Sequence, residues 1–161
     1  MIRDVESDDA GAVCRIYNHY VKNTIITFEE EPVSVEQMQV RMAEIRANSL
    51  PWIVYCEAGA VVGYAYASTW KSRSAYRHSV ESTVYVEKDR VGQGIGSALY
   101  AELLSRLRQT PVHAVMGGIA LPNEASVRLQ ERFGFRKVAH FSQIGFKLGR
   151  WIDVGYWQLI L

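Results

Sequence analysis

Two cysteines, four prolines and four histidines in 161 residues leave this chain little with which to staple itself, break its elements or bind metal. Cys14 and Cys56 form no Cys-x-x-Cys pair, which excludes a disulfide-built scaffold, and they read as small buried residues of a reduced protein. His19, His78, His113 and His140 show no ligand spacing, so no metal is expected. Neither charge is in excess. Eighteen basic against seventeen acidic residues give a formal charge of +1, too little for a dedicated nucleic-acid surface. Long apolar runs are missing as well. The longest, around Ala60 to Ala67, falls far short of the roughly 20 residues that cross a bilayer, and MIRDVESDDAG lacks the apolar core of a signal sequence. With no repeat, low-complexity tract or linker, the expectation is one domain over residues 1–161, cytoplasmic, with neither membrane nor nucleic acid as partner.

What the chain does have is 48% apolar residues, enough for one core, and a stretch from Val80 to Leu107 that reads strand, glycine loop, helix. Val80, Ser82, Val84 and Val86 alternate with Glu81, Thr83 and Tyr85. A strand of that pattern buries one face and turns the Glu81 carboxylate out of the other. Gly92, Gly94 and Gly96 then free the backbone for close approach. Ile95, Leu99, Leu103 and Leu107 recur every fourth residue as a buried helix face, and Pro111 marks its end. A glycine loop that opens directly into a helix leaves the first N–H groups unpaired, which suits a phosphate; it also suits nothing more than a tight connection. Two phosphate motifs do not fit. No acid follows about 20 residues on, as a dinucleotide fold wants, and Gly-Lys-Ser/Thr is absent.

Around that stretch the pattern predicts a strand from Ile2 to Val5, then a helix capped by Ser7 with Val13, Tyr17, Tyr20 and Val21 inward. Thr24 to Pro32 is a connector, and Ser34 with Gln37 makes a capping box for a helix facing inward through Met38, Met42 and Ile45. Trp52 to Glu57 and Val61 to Trp70 read as a hairpin. The loop from Trp70 to Ser79 gathers Lys71, Arg73, Arg77 and His78 ahead of Glu81: either a solvated surface or a pocket for an anionic substrate. Val112 to Ile119 reads as a buried strand. Asn123 caps a helix that ends near Gly134, and Arg136 to Leu161 reads as two strands around a loop GFKLGRWIDVG carrying Lys147, Arg150 and Trp151.

Several of these segments together resemble the phosphinothricin acetyltransferase family within the GNAT superfamily of N-acetyltransferases. They are NHY at Asn18, FxxEP at Phe28 to Pro32, AYAxxW at Ala65 to Trp70, VESTVYV, G-x-G-I-G-S, LPNxxSVR from Leu121 to Arg128, and GFKxGxWxDVGYWQL from Gly145 to Leu159. In the cofactor motif Val91 stands where the family has Gln or Arg. The resemblance implies an α/β (α+β) fold, a mixed, strongly twisted sheet flanked by helices. It also implies acetyl-CoA as co-substrate, held by Val84, Tyr85 and Val86 along the strand, by Gly92, Gln93, Gly94, Ile95, Gly96 and Ser97 at the pyrophosphate, and by Asn123 and Ser126.

Glu81 corresponds to the family's proposed general base, though its residue type alone equally allows a salt bridge to Arg73 or Arg77. Gln130 takes the place of a family His or Tyr acid and can offer a hydrogen bond but no proton. The expected acceptor is the amine of a small amino-acid analogue such as phosphinothricin, methionine sulfone or methionine sulfoximine. Its walls would be Phe28, Arg73, Ser74, Ala75, Tyr76, Thr83, Lys147 and Trp151, with transfer direct in a ternary complex. A homodimer is implied. Two other readings stay open: an acyl-CoA-binding regulator with little catalysis, and a protein or peptide N-acetyltransferase.

Overall fold

A computed structural model of the protein describes residues 1–161. In chain order it runs β1 (Ile2–Asp4), α1 (Ala10–Asn23), α2 (Val35–Ala47), β2 (Trp52–Glu57), β3 (Ala60–Thr69), β4 (Ser79–Val86), α3 (Ile95–Leu107), β5 (Ala114–Leu121), α4 (Glu124–Arg132), β6 (Arg136–Lys147) and β7 (Arg150–Ile160). The strands make one sheet ordered β1-β2-β3-β4-β5-β7-β6. Every neighbouring pair is antiparallel except β4 and β5. This is the mixed, helix-flanked sheet that the resemblance implies.

Alternation along the strands sorts the side chains into two cores. On one face Val13, Tyr17, Tyr20 and Val21 of α1 and Met38, Met42 and Ile45 of α2 pack with Trp52, Val54 and Tyr64, and Tyr85 joins them. On the other face Ile95, Leu99, Leu103 and Leu107 of α3 pack with Val80, Val115 and Trp157, joined by Val84 and Val86. The 2.0-residue period of β4 and the 3.6-residue period of α3 therefore meet as the sequence predicts.

Two expectations are corrected. Ser7 does not cap α1; a 3-10 turn at Ser7–Asp9 precedes it. There Asp9 accepts the Glu6 N–H at 2.7 Å and a paired Arg3 guanidinium at 2.7 and 2.8 Å. The acid wins because it satisfies a helix-end donor and a charge at once. The closing GFKLGRWIDVG segment is not a loop either. Its residues pair as Gly145↔Ile152, Phe146↔Trp151 and Lys147↔Arg150. Only Leu148 and Gly149 turn, both at positive φ (50° and 75°), as a two-residue hairpin requires. The Ser34 and Gln37 capping box forms as expected, with bonds of 3.1 and 2.9 Å.

Candidate active site

β4 and β5 pair at only three positions, Ser79↔Ala114, Val80↔Val115 and Glu81↔Met116, and then part. On its other side β4 stays paired with β3 as far as Val86. Glu87 N–H donates to Val62 O at 2.9 Å, so by the two-residue alternation of an antiparallel ladder Tyr85 and Thr83 also turn their backbone groups to β3. Val84 and Val86 have the opposite parity. Their N–H groups face the fork, where β5 no longer reaches them. The backbone of Tyr85 is occupied by β3, and its ring instead packs against Tyr17, Tyr20 and Tyr64 at 5.3, 5.1 and 5.6 Å between centroids.

A pair of glycines sits on the β5 side of the fork. A methyl on Gly117 would lie 2.3 Å from both Nε2 and Oε1 of Gln130, so the side chain from α4 occupies the space a Cβ would fill. A methyl on Gly118 would lie 3.0 Å from the Tyr156 ring and 3.1 Å from Glu81 Oε1. The fork thus opens a cleft of about 280 Å³ through the sheet. Glu81, Thr83, Tyr85, Phe28 and Tyr156 line it, as do Ser82, Tyr100, Asn123, Ser126, Leu129 and Gln130.

Burial pushes the Glu81 carboxyl above the ordinary carboxylate range, and the Lys71 ammonium partly offsets this. No ion pair forms between Glu81 and any Arg, so the salt bridge to Arg73 or Arg77 is not made. Gln130 is only 6% exposed, and its Oε1 is sealed in protein with no donor. Tyr100 and Ser82 share a 2.7 Å hydrogen bond behind the fork, and Ser82 Oγ also donates to Met116 O at 3.2 Å. Burial raises the Tyr100 phenol well above its usual range, so it stays protonated.

At the fork's open end lies the glycine loop. Gly92 and Gly94 take φ of +84° and +83°, and nothing lies within 4 Å of where a Cβ would stand on either. The first bond of α3 runs from Ala98 N–H to Gly94 O at 3.0 Å, which leaves the N–H groups of Ile95, Gly96 and Ser97 free of helical partners. Arg90 is held by Glu57 and by Gln93 Oε1. Asn123 is the predicted cap, its Oδ1 accepting Ser126 N–H at 3.2 Å. An open concave backbone, a helix N-terminus and two strand N–H groups in line with them fit an extended phosphate-bearing thioester such as acetyl-CoA.

The expected acceptor walls divide. Phe28 and Thr83 line the cleft. Ser74, Ala75 and Tyr76 form an exposed 3-10 turn outside it, with exposed Arg73 as its N-cap. Trp151 is 63% exposed and lies tilted against Phe146, ring centroids 4.9 Å apart, at the hairpin tip. Lys147 is 2% exposed and turns its ammonium onto backbone carbonyls. Sequence reasoning missed Gly117, Gly118, Tyr100 and Tyr156. Adjacent glycines inside a strand, which signal close approach by something else, were the available clue. Beside the cleft, and sharing Phe28, Val154 and Tyr156 with it, is an apolar basin of about 480 Å³ formed by Trp70, Met116, Val138, Phe141 and Ile144, with Lys71 at its rim.

A parallel pair that forks above a glycine loop and a helix N-terminus defines a class of proteins that hold an acyl thioester inside a sheet. Residues 2–155 match the model for the acetyltransferase (GNAT) domain, and the chain belongs to that family of acetyl-CoA-dependent N-acetyltransferases. It is 39% identical over 157 residues to the phosphinothricin N-acetyltransferase of Streptomyces viridochromogenes, covering 98% of this chain and 85% of that one. Two solved structures superpose nearly end to end. A phosphinothricin acetyltransferase from Sinorhizobium meliloti in complex with acetyl-CoA has a TM-score of 0.97 at 36% identity, covering 100% of this chain and 88% of that one. A protein described as ribosomal-protein-alanine N-acetyltransferase from Brucella melitensis has a TM-score of 0.98 at 35% identity, covering 100% and 99%.

Proposed function

We propose that this enzyme acetylates the amine of a small amino-acid analogue of the phosphinothricin, methionine sulfone or methionine sulfoximine type, by direct transfer within a ternary complex. One observation carries the reading: the fork gives a passage through the sheet with an unpaired carboxylate, Glu81, set in its wall and the cofactor cradle at its open end. An enzyme named for phosphinothricin, 39% identical over 157 residues, supports the acceptor class.

When bound, acetyl-CoA supplies the activated acyl carbon and a thiolate leaving group, whose conjugate acid in a free thiol has a pKa of about 8.5. Everything else falls to the chain. An α-amino group is mostly protonated near neutrality, with a pKa of about 8, so Glu81 takes its proton, directly or through a water. Burial makes Glu81 a stronger base than a free carboxylate. The N–H of Val84 or Val86 is the donor for charge that grows on the acyl oxygen. Gln130, with Oε1 sealed inside, presents Nε2 as a hydrogen-bond donor to sulfur. Departure of a thiolate does not require a proton donor, so a glutamine there is compatible with turnover. Neither buried cysteine lines the cleft, which supports direct transfer.

The pocket reading extends to charge and assembly. Lys71 at the basin rim faces Glu81 closely enough to bias its titration, and is the cation best placed to meet an acceptor carboxylate. Arg73, Tyr76 and Trp151 would act only once a second subunit brings such exposed residues to a neighbouring cleft. The assembly that would do so is a cytoplasmic homodimer through β6. β6 is an unpaired sheet edge that leaves Val138, Ile144 and Phe146 more than half exposed. The deciding experiment incubates the protein with acetyl-CoA and a panel of amino-acid analogues, polyamines and peptides, following release of free thiol. Fastest turnover of an amino-acid analogue is expected. Preference for peptide N-termini would favour the activity named for the Brucella structure, and binding without turnover would favour a regulator.

A further inference from the structure

The connector between α1 and α2 has no strand partner, yet it walls the cleft, and its anchoring follows a two-residue rhythm. Ile25 is buried with Ala120 of β5 and Ile152 of β7. Thr27 is buried, its hydroxyl 2.8 Å from Tyr17 OH. Glu29 accepts a paired Arg41 guanidinium from α2 at 2.5 and 2.8 Å, and Tyr17 OH as well. Between these inward residues, Ile26 and Phe28 point into the cleft, 40% and 41% exposed.

An extended segment without a ladder leaves its carbonyls wanting donors. At the centre of this one the donor is a buried charge. Lys147 Nζ gives a 2.7 Å hydrogen bond to Thr27 O and a 3.5 Å contact to Tyr20 O, with no carboxylate in ion-pair range. Two residues earlier on the same face of β6, a methyl on Gly145 would lie 2.3 Å from the Phe28 ring. The end of β6 therefore both pins the backbone before Phe28 and supplies the hollow its ring fills. We propose that Lys147 is a positioning residue for acceptor selectivity: without touching the amine, it fixes through Thr27 the depth of the wall formed by Ile26 and Phe28. This rests on the acetyl-transfer reading above, in which that wall faces the acceptor. Burial also lowers the affinity of Lys147 for its proton, and the charges of Glu30 and Glu29 partly offset this.

The test is Lys147→Met, which keeps the stem and removes the donors. Hydrogen exchange at residues 25–30 is followed in the free protein, and steady-state kinetics in the enzyme with acetyl-CoA and two amino-acid acceptors of different side-chain bulk. Exchange in that segment should rise by about tenfold, the scale of one charged hydrogen bond, with the rest of the chain unchanged. KM for the acceptors should rise by a similar factor, while KM for acetyl-CoA and kcat stay within about twofold. A raised acceptor KM with unchanged exchange would mean that the ammonium meets the acceptor itself, and the proposal fails. Faster exchange with unchanged acceptor KM also overturns it. Exchange needs no turnover, so an enzyme inactive on every amine would refute the acceptor reading and still judge the anchor. If Lys147→Met does not fold, Gly145→Ala displaces the Phe28 ring with Lys147 intact. The ratio of kcat/KM for the two acceptors should then change about threefold or more, and an unchanged ratio refutes the wall.

Discussion

The Gln130 amide lies against Gly117 so closely that one methyl on that glycine would come 2.3 Å from both its nitrogen and its oxygen. A helix side chain and a strand backbone thus share one volume at the point where β4 and β5 separate. Gly117→Ala should evict the amide and cost about 1–3 kcal/mol of stability, as overpacking does. Gln130→Leu should be neutral or stabilising, since it removes a sealed oxygen that has no donor. If the amide also serves the sulfur, Gln130→Leu lowers kcat while leaving KM for the amine within about twofold. Thermal melts and initial rates on the two variants separate packing from chemistry.

Glu81→Gln should slow transfer at neutral pH by about 10²–10⁴-fold, the usual contribution of a positioned base. In the native enzyme kcat/KM should fall on acidification through the raised carboxyl pKa, a limb the Gln variant lacks. The sign for stability is opposite. A carboxyl whose folded pKa is raised contributes stability below its unfolded pKa and loses it as pH rises through the folded value. At neutral pH Glu81→Gln should therefore raise the melting temperature. A wild-type pH profile in the variant would remove Glu81 from the chemistry.

Lys71 lowers the pKa of Glu81 by its charge, so Lys71→Met should move the acid limb of kcat/KM to higher pH. The same change should raise KM for an acceptor bearing a carboxylate more than for its amide. A limb that stays in place would show that solvent screens the pair.

Gly94→Val should lower acetyl-CoA affinity by at least about a hundredfold, or about 2.7 kcal/mol, read by calorimetry. The space beside Gly94 is empty, so the folding penalty comes only from a φ of +83° that a branched residue resists. Unchanged affinity in a folded variant would refute the cradle.

Ile144→Asp should convert a dimer to a monomer of 18.2 kDa in sedimentation, because Ile144 stands 62% exposed on the edge strand. A wild-type protein that already sediments as a monomer would dispose of the β6 interface.

The strand, loop and helix from Val80 to Leu107 were legible because their periods are local: Val80, Ser82, Val84 and Val86 declare one face, and leucines four apart declare another. The closing hairpin was not. Glycines at 145, 149 and 155 suggest a loop, yet only Gly149 turns. Gly145 and Gly155 leave room for the rings of Phe28 and Trp157, whose atoms would lie 2.3 and 2.5 Å from an added methyl. Lys147 read as a pocket cation for the same reason, since nothing local shows that its alternation turns it inward toward carbonyls 120 and 127 residues away. The fork itself is a non-local event, set by Gln130 against Gly117.

Three rungs hold together what are otherwise two lesser sheets, four strands on one side of the fork and three on the other. Backbone bonds that would have continued the β4–β5 ladder are instead left to whatever enters, and under the proposed cofactor placement a thioester chain lying there would act as a missing strand that splints the halves. With that placement, the angle between the halves and the affinity for the acyl donor would be linked, since a ligand that binds one arrangement better stabilises it. Substitutions along the seam, far from any reacting atom, should tune the cofactor's residence by stiffening or loosening the sheet that grips it.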